Sequence, residues 1–405
     1  MPVLDVSNLA EDFNENPYPH YERLRASGPV HRVKAADGEE VWLIVGHDEA
    51  RQALAHPDVL KNWQTAGLYA DRTATTTTLS TNMLRSDPPH HTRLRRLVAR
   101  EFTARRIEAL RPRVQQVTDG LLDAMAAAPD RRADLIGAFA DPLPMTLICE
   151  LLGVPDLDRG SFRAWCTEIV GPSGPEPERA ALGAMSGYLA ELIVAKRERP
   201  GPDLFSALIR TRDEDGDRLS RAELVGMAFL LLIAGYETAV NLLGNGVRAL
   251  LAHPGQLAAL RADPDGLIDG AVEEMLRYDG PVESATYRFA RADLEIGGTF
   301  IAAGSPVLVS LAGASRDPAR FADPGAGSRP GPEAFDIHRT GQSHLAFGHG
   351  IHFCLGAPLA RLEARIAIRS LLERFPGLAE DPQAGPRDWL PGTLIRGVKR
   401  LPVRW

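Results

Sequence analysis

The stretch Phe229 to Ala239 (FLLLIAGYETA) is apolar on nearly every face, and its boundaries are written in the residues on either side. Ser220-Arg221-Ala222-Glu223 fits a capping box, which fixes a helix start. His253-Pro254 marks its end, because the residue before a proline leaves the helical region. About 32 residues at 1.5 Å each give a rod of roughly 48 Å, long enough to cross a domain. A helix apolar all round must be buried. The other elements of the chain must therefore wrap around it, and the 44% of hydrophobic residues in 405 allow a core of that size.

The remaining pattern is mostly helical. Pro17 to Ser27, Thr92 to Thr103, Ala104 to Ala127, Ala180 to Arg199, Leu267 to Tyr278 and Ala357 to Arg374 carry apolar residues at three- and four-residue spacing. Strand-like pieces occur at Val41 to Val45, Thr286 to Phe289, Pro306 to Ser310 and in the C-terminal LPVRW. Lys61 to Arg85, with a threonine-rich patch, and Phe321 to Pro332, dense in glycine and proline, read as loops. No repeat or linker divides the chain. The expected fold is one domain over residues 1–405, mainly α with small β-sheets (α+β).

A net charge of −7 argues against general nucleic-acid binding, which needs a basic surface. The longest apolar stretch, Met227 to Ala234, is too short to span a bilayer, and the N-terminus is acidic rather than signal-like. No membrane association and a cytoplasmic location are expected. The three cysteines are widely spaced and form no disulfide framework. Cys149 and Cys166 lie in apolar surroundings and read as buried small hydrophobes.

Cys354 has different neighbours: Phe347-Gly348-His349-Gly350-Ile351-His352-Phe353-Cys354-Leu355-Gly356. Two glycines allow a tight turn, and a helix follows at once. Cys354 thus sits at a helix N-terminus, where free amides and the positive end of the dipole favour a thiolate that can ligate iron. Zinc ligation by His349, His352 and Cys354 is the alternative, without the spacing or partner pair of a zinc site.

This loop resembles the haem-binding signature of the cytochrome P-450 family, FGxGxHxCxG, at all its fixed positions, with Phe347, Gly348 and Gly356 among them. Three further matches stand in the family's order. Ala234-Gly235-Tyr236-Glu237-Thr238 resembles its oxygen-binding helix motif, and Glu274-Met275-Leu276-Arg277 its ExxR motif. Asp87 to Arg95 (DPPHHTRLR) resembles the approach to its haem-contacting helix. The resemblance covers nearly the whole chain. It implies a helical, triangular-prism fold with a β-rich side, a haem b cofactor (iron protoporphyrin IX) and Cys354 as the axial metal ligand.

It also implies site roles. His91 and Arg95, four apart on one helix face, together with Arg288 and His352, would hold the haem propionates. The Thr238 hydroxyl can bond the carbonyl of Ala234, and Gly235 leaves space beside it. The two would open a groove in a locally distorted helix. Glu237 would pass protons from solvent, and Thr238 would steady the reacting oxygen. Glu274 and Arg277 would hold the core on the cysteine side. The family often has an arginine just before Phe335, where this chain has Ala334, so Arg329 or Arg339 would have to substitute.

The expected partners are O2, a ferredoxin and ferredoxin reductase as electron donors, and a hydrophobic small molecule. The basic stretch Arg93 to Arg113 is a candidate docking face for an acidic donor. By resemblance, the substrate pocket would be walled by the Asn62 to Arg85 loop, the helices around Trp165 and Met185 and the Ala228 to Tyr236 face. Val282, Glu283, Thr286, Leu394 and Ile395 would close it. Glu283 is a candidate partner for a cationic amino sugar. The stretch HLAFGHGIHFCLGAPLARLEAR is most similar to the actinobacterial branch acting on macrolides and polyketides. That implies hydroxylation or epoxidation in antibiotic biosynthesis. A haem-thiolate isomerase or peroxygenase and a non-catalytic haem sensor are the rival classes.

Overall fold

The computed structural model describes residues 4–5, 13–34, 40–62, 78–155, 159–171, 173–211, 216–322, 331–341 and 343–405. The central helix runs unbroken over Arg221–Ala252. Its capping box is formed: the Ser220 hydroxyl accepts from the Glu223 amide, and the Glu223 carboxylate accepts from the Ser220 amide. Pro142–Leu152, Pro175–Glu198, Pro264–Asp279 and Ala357–Arg374 pack around it. Among the described residues it is the one helix long and apolar enough to cross a membrane, and it lies in the main core cluster of the protein.

Glycines let the neighbours approach this helix. A Cβ on Gly226 would lie 2.2 Å from the Thr81 carbonyl oxygen, so the turn at Thr78–Ser80 rests directly on the helix backbone. Gly235 is also a crossing residue. A Cβ there would meet Ile148 Cδ1 at 3.0 Å, so the missing side chain faces the Pro142–Leu152 helix. Gly235 is itself half-buried, next to exposed Ala234.

The predicted helix over 104–127 is two helices, Ala104–Glu108 and Arg111–Ala126. Pro112 lies in the first turn of the second, where its missing N–H costs nothing. Helices that the sequence analysis does not predict include His47–Ala55, Pro142–Leu152, Arg159–Val170, Leu204–Arg210 and Pro254–Ala262. Pro142–Leu152 buries most of its side chains on all sides, which erases the period. It carries Cys149, and Arg159–Val170 carries Cys166. Both cysteines are fully buried.

The strands gather into small sheets. The largest runs in the order Leu4–Asp5, Val30–Lys34, Glu40–Ile44, Pro306–Val309, Arg288–Ala290, Val59–Leu60. Trp42 pairs with Val307 in parallel, and Arg288 pairs with Val307 from the other side in antiparallel. This register brings Arg288 into a sheet whose edge strand, Val59–Leu60, leads directly to Lys61. A three-stranded sheet joins Ala379–Glu380, Pro402–Arg404 and Arg132–Asp134.

A buried charge cluster ties the sheet side to the helices. Asp279 accepts from Arg396 Nε at 2.6 Å and from the Tyr18 hydroxyl at 2.6 Å, and pairs with Arg248. Burial alone would raise the Asp279 carboxyl, but Arg396, Arg248 and Arg316 hold it well below the ordinary carboxylate range.

Candidate active site

The cysteine loop is built by two left-handed glycines. Gly348 has φ 72° and Gly350 φ 73°, a conformation other residues adopt at a cost. They bend the chain so that the Cys354 amide donates to the Phe347 carbonyl at 2.9 Å and the Phe353 amide to Gly350 at 3.0 Å. The helix Ala357–Arg374 starts immediately after, and the Gly356 and Ala357 amides bond the Cys354 sulfur. Burial nonetheless pushes the Cys354 thiol above its ordinary range. The two amides, Arg95 and Arg361 oppose this without overcoming it. The Gly356 and Ala357 amides and the two arginines are the groups that favour a thiolate at this helix start.

Glu273 clamps the loop from below. Its carboxylate accepts from Arg361 at 2.5 and 2.8 Å and lies 3.1 Å from His344 Nε2. The Arg361 guanidinium also sits 4.5 Å over the Phe347 ring. Burial raises the Glu273 carboxyl, but the Arg361 and His344 bonds outweigh it and bring it down to about 2.

The structure brings His91, Arg95, Arg288 and His352 to one place. The His91 and His352 rings lie 4.3 Å apart, and Arg95 donates to the Phe353 carbonyl at 2.7 Å. Both His91 ring nitrogens, His352 Nε2 and Arg288 Nε are buried without a hydrogen-bond partner. Burial lowers His352 far below the ordinary imidazole range, and Arg288, His91, Lys61 and Arg95 lower it further. Burial also brings the Arg288 guanidinium down to about 10. Orphaned donors and mutually repelling cations are what a pair of carboxylates would satisfy. Together with a sulfur held by amides, this set fits a porphyrin with two propionates and an iron. Among the described residues no group of three or more His, Cys, Asp or Glu side chains is placed to hold a metal, which leaves the zinc alternative without support.

Glu274 and Arg277 are both fully buried and paired through two bonds of 2.7 Å. Arg277 also donates to the carbonyls of Ser315, Pro332 and Ala334. Arg339 supplies the third member. Its Nε lies 3.4 Å from Glu274 and it donates to the Phe321 and Gly331 carbonyls. Arg329 lies outside the described residues.

On the central helix, the Thr238 hydroxyl donates to the Ala234 carbonyl at 2.6 Å, and Asn241 Nδ2 to the Glu237 carbonyl at 2.8 Å. The helix stays continuous here, in place of the expected local distortion. Ala234 is exposed and Ile233, Gly235, Glu237 and Thr238 around it are half-buried, which marks an accessible strip. Burial raises the Glu237 carboxyl to about 7, and Arg163 opposes the rise. Arg163 is paired with Asp141, which also accepts from the Tyr236 hydroxyl at 2.6 Å. This network joins three separated segments and left no signal in the sequence.

The pocket residues divide. Val282 and Ile395 are bridge partners, the Glu283 amide donates to the Leu394 carbonyl at 2.9 Å, and Leu394 is exposed. The Glu283 side chain points elsewhere. It is 1% exposed and accepts from the Tyr21 hydroxyl at 2.7 Å, so it is not available to a cationic sugar. Met185 itself is fully buried in the core. Trp165 stacks with Phe162 and Tyr188. Residues 63–77 of the expected wall lie outside the described residues.

The cytochrome P-450 family model matches residues 184–396. Over 404 residues the chain is 59% identical to the cytochrome P-450 monooxygenase PikC of Streptomyces venezuelae, covering 100% of this chain and 94% of that one. It is 43% identical to the 6-deoxyerythronolide B hydroxylase of Saccharopolyspora erythraea, covering 98% of each. Among solved structures it is similar to the tirandamycin C-bound P-450 monooxygenase TamI, with TM-score 0.88, 44% identity and 99% of each chain covered. These likenesses run the whole length of a chain whose cysteine loop, cation cradle and acid–alcohol helix already share one architecture, and the chain belongs to the cytochrome P-450 family of haem-dependent monooxygenases.

Proposed function

We propose that this protein hydroxylates or epoxidises a macrolide-like polyketide in antibiotic biosynthesis, using haem b ligated by Cys354 and electrons from a ferredoxin and its reductase in the cytoplasm. The observation that carries the chemistry is the Thr238 hydroxyl held to the carbonyl of exposed Ala234 at 2.6 Å, with the half-buried acid Glu237 on the same turn of the helix. When bound, the haem supplies dioxygen activation. The protein residues do the rest.

Cys354 presents its sulfur with two amide donors, which fix its position and moderate its charge. His91, Arg95, Arg288 and His352 offer the donors that hold the propionates. Glu237 titrates near neutrality, where an acid–base group transfers protons best. Arg163, in contact with solvent and paired with Asp141, sits where it can modulate that proton. Thr238 holds its proton toward the Ala234 carbonyl and keeps an oxygen lone pair for a neighbour.

The apolar contact residues Val282, Leu394 and Ile395 suit a large hydrophobic molecule. The relatives named for 6-deoxyerythronolide B and solved with tirandamycin C support a polyketide. The basic docking face is weaker than the sequence suggested. Arg93 is bound to Asp217 and Glu223, Arg106 to Glu101, Arg111 to Glu108 and Arg113 to Glu150. A donor would have to meet a surface already compensated by its own carboxylates.

The test is a ligand panel read by the haem spin-state shift, followed by turnover with a ferredoxin system. Polyketide macrocycles should give the largest shift and an oxygenated product. A preference for fatty acids or terpenes would overturn the substrate assignment.

A further inference from the structure

A cleft of about 440 Å³ opens between the helices Ala104–Glu108, Arg111–Ala126, Pro142–Leu152, Leu204–Arg210 and Ala357–Arg374. None of its lining residues belongs to the cation cradle, the acid–alcohol strip or the substrate contacts described above. Phe102, Leu110, Leu147, Leu151 and Leu359 give it an apolar lining, and its volume is that of a small-molecule pocket.

One acid in this lining has no partner. Glu363, on the helix that follows the cysteine loop, is only 5% exposed. Among the described residues it has no hydrogen bond and no ion pair, and burial pushes its carboxyl up to about 8. A buried carboxyl with nothing to bond is costly in either protonation state. The other charges around the cleft are mostly taken up by one another. Arg106 is bound to Glu101, Arg113 to Glu150 at 2.6 and 2.8 Å, and Asp203 to Lys196 at 2.6 Å. Arg210 also lines the cleft, but it is exposed, so water and salt screen its charge.

We propose that this cleft is an accessory binding site for an organic cation with an apolar body, a primary alkyl amine, whose ammonium pairs with Glu363. An alkyl ammonium brings three donors and a full positive charge to a carboxyl that lacks any partner. Its chain covers the apolar lining and shuts out water that would weaken the pair. An alcohol of the same length brings the chain without the charge, and a carboxylate brings the wrong charge. The competing reading is a carboxyl that stays protonated and idle between packed helices. The site is separate from the substrate pocket, and its occupant is independent of which substrate is oxidised.

The experiment uses the reduced, CO-bound holoenzyme, so that an amine cannot take the iron. Calorimetric titration at pH 7 compares n-hexylamine, 1-hexanol and hexanoate. Hexylamine should bind, and the other two should bind roughly tenfold more weakly or not at all, the difference expected of one charge-assisted bond. E363Q keeps the shape and removes the charge. It should weaken hexylamine roughly tenfold and leave hexanol unchanged. A207F narrows the cleft from the Leu204–Arg210 helix with Glu363 intact, and it should abolish hexylamine binding. It also decides the matter should E363Q not fold. Absence of hexylamine binding, equal affinity for hexylamine and hexanol, or undiminished binding by E363Q or by A207F would overturn the proposal. A wild type without a thiolate-type CO spectrum would instead sink the haem-thiolate reading and leave this cleft untouched.

Discussion

Arg163 lies close enough to Glu237 to hold down a carboxyl that burial lifts to about 7, although the two come from different helices. The charge of one surface-reaching arginine thus sets the working range of the acid on the central helix. With Arg163→Leu the opposing charge is gone, and the Glu237 carboxyl should rise further. Proton delivery from an acid fails as pH climbs through its pKa. Product formed per electron should therefore fall above about pH 7 in the wild type and only at higher pH in the variant. Glu237→Gln should remove this limb and lower turnover by about 100-fold. Identical profiles for wild type and Arg163→Leu would refute the coupling.

Thr238→Ala removes the hydroxyl bonded to Ala234 but leaves the helix and the acid in place. Electron consumption should continue while oxygenated product drops several-fold, the balance appearing as hydrogen peroxide. The check is the ratio of product to NADPH oxidised in a ferredoxin-coupled assay. An unchanged ratio would remove Thr238 from the proton relay.

Arg277 and Arg339 both serve Glu274 but should differ in weight. Arg277→Met leaves a fully buried carboxylate without its two 2.7 Å bonds, and three carbonyls lose a donor. Breaking such a pair costs about 3–5 kcal/mol. Arg339→Met loses a 3.4 Å contact and three carbonyl bonds, one of them long at 3.4 Å, for about 1–3 kcal/mol. Thermal melts followed at the Soret band should rank Arg277→Met well below Arg339→Met. Equal melting points would show that the third arginine carries as much of the network as the second.

Acid should loosen the cysteine loop through Glu273. Its carboxyl is at about 2 when folded and near the ordinary 4.3 when unfolded. A depressed carboxyl stabilises above its unfolded pKa, and that contribution is lost as pH falls from about 5 to 2. Stability measured by denaturant titration should decline over this window, and Glu273→Gln should flatten the decline. A Glu273→Gln protein with the wild-type pH dependence would assign the acid sensitivity to other groups, Asp279 first among them.

The central helix and the cysteine loop were legible because their signals are local. A capping box, a proline stop and two glycines act on residues within one turn. His91, Arg95, Arg288 and His352 followed from the family resemblance, and the structure does converge them. Lys61, Arg163 and Asp141 were not legible, because Lys61 meets Thr286 from 225 residues away, Asp141 meets Tyr236 from 95, and the Arg163–Asp141 pair crosses between two helices. Glu283 misled for a related reason. In a strand-like segment neighbouring side chains point to opposite sides, and sequence does not say that the Tyr21 hydroxyl waits on the buried one.

By taking the amides of residues 61 and 62 on its two oxygens, Asp87 staples together the ends of a long excursion of the chain. Whatever is inserted or deleted between those ends, the loop is closed at the same point, and each doubling of its length costs only about 0.6 kcal/mol. Variation in that stretch is thereby decoupled from the cation cradle just outside it. A descendant enzyme can trade the intervening sequence for another and keep the end of the edge strand tied to the approach of the His90–Ala99 helix.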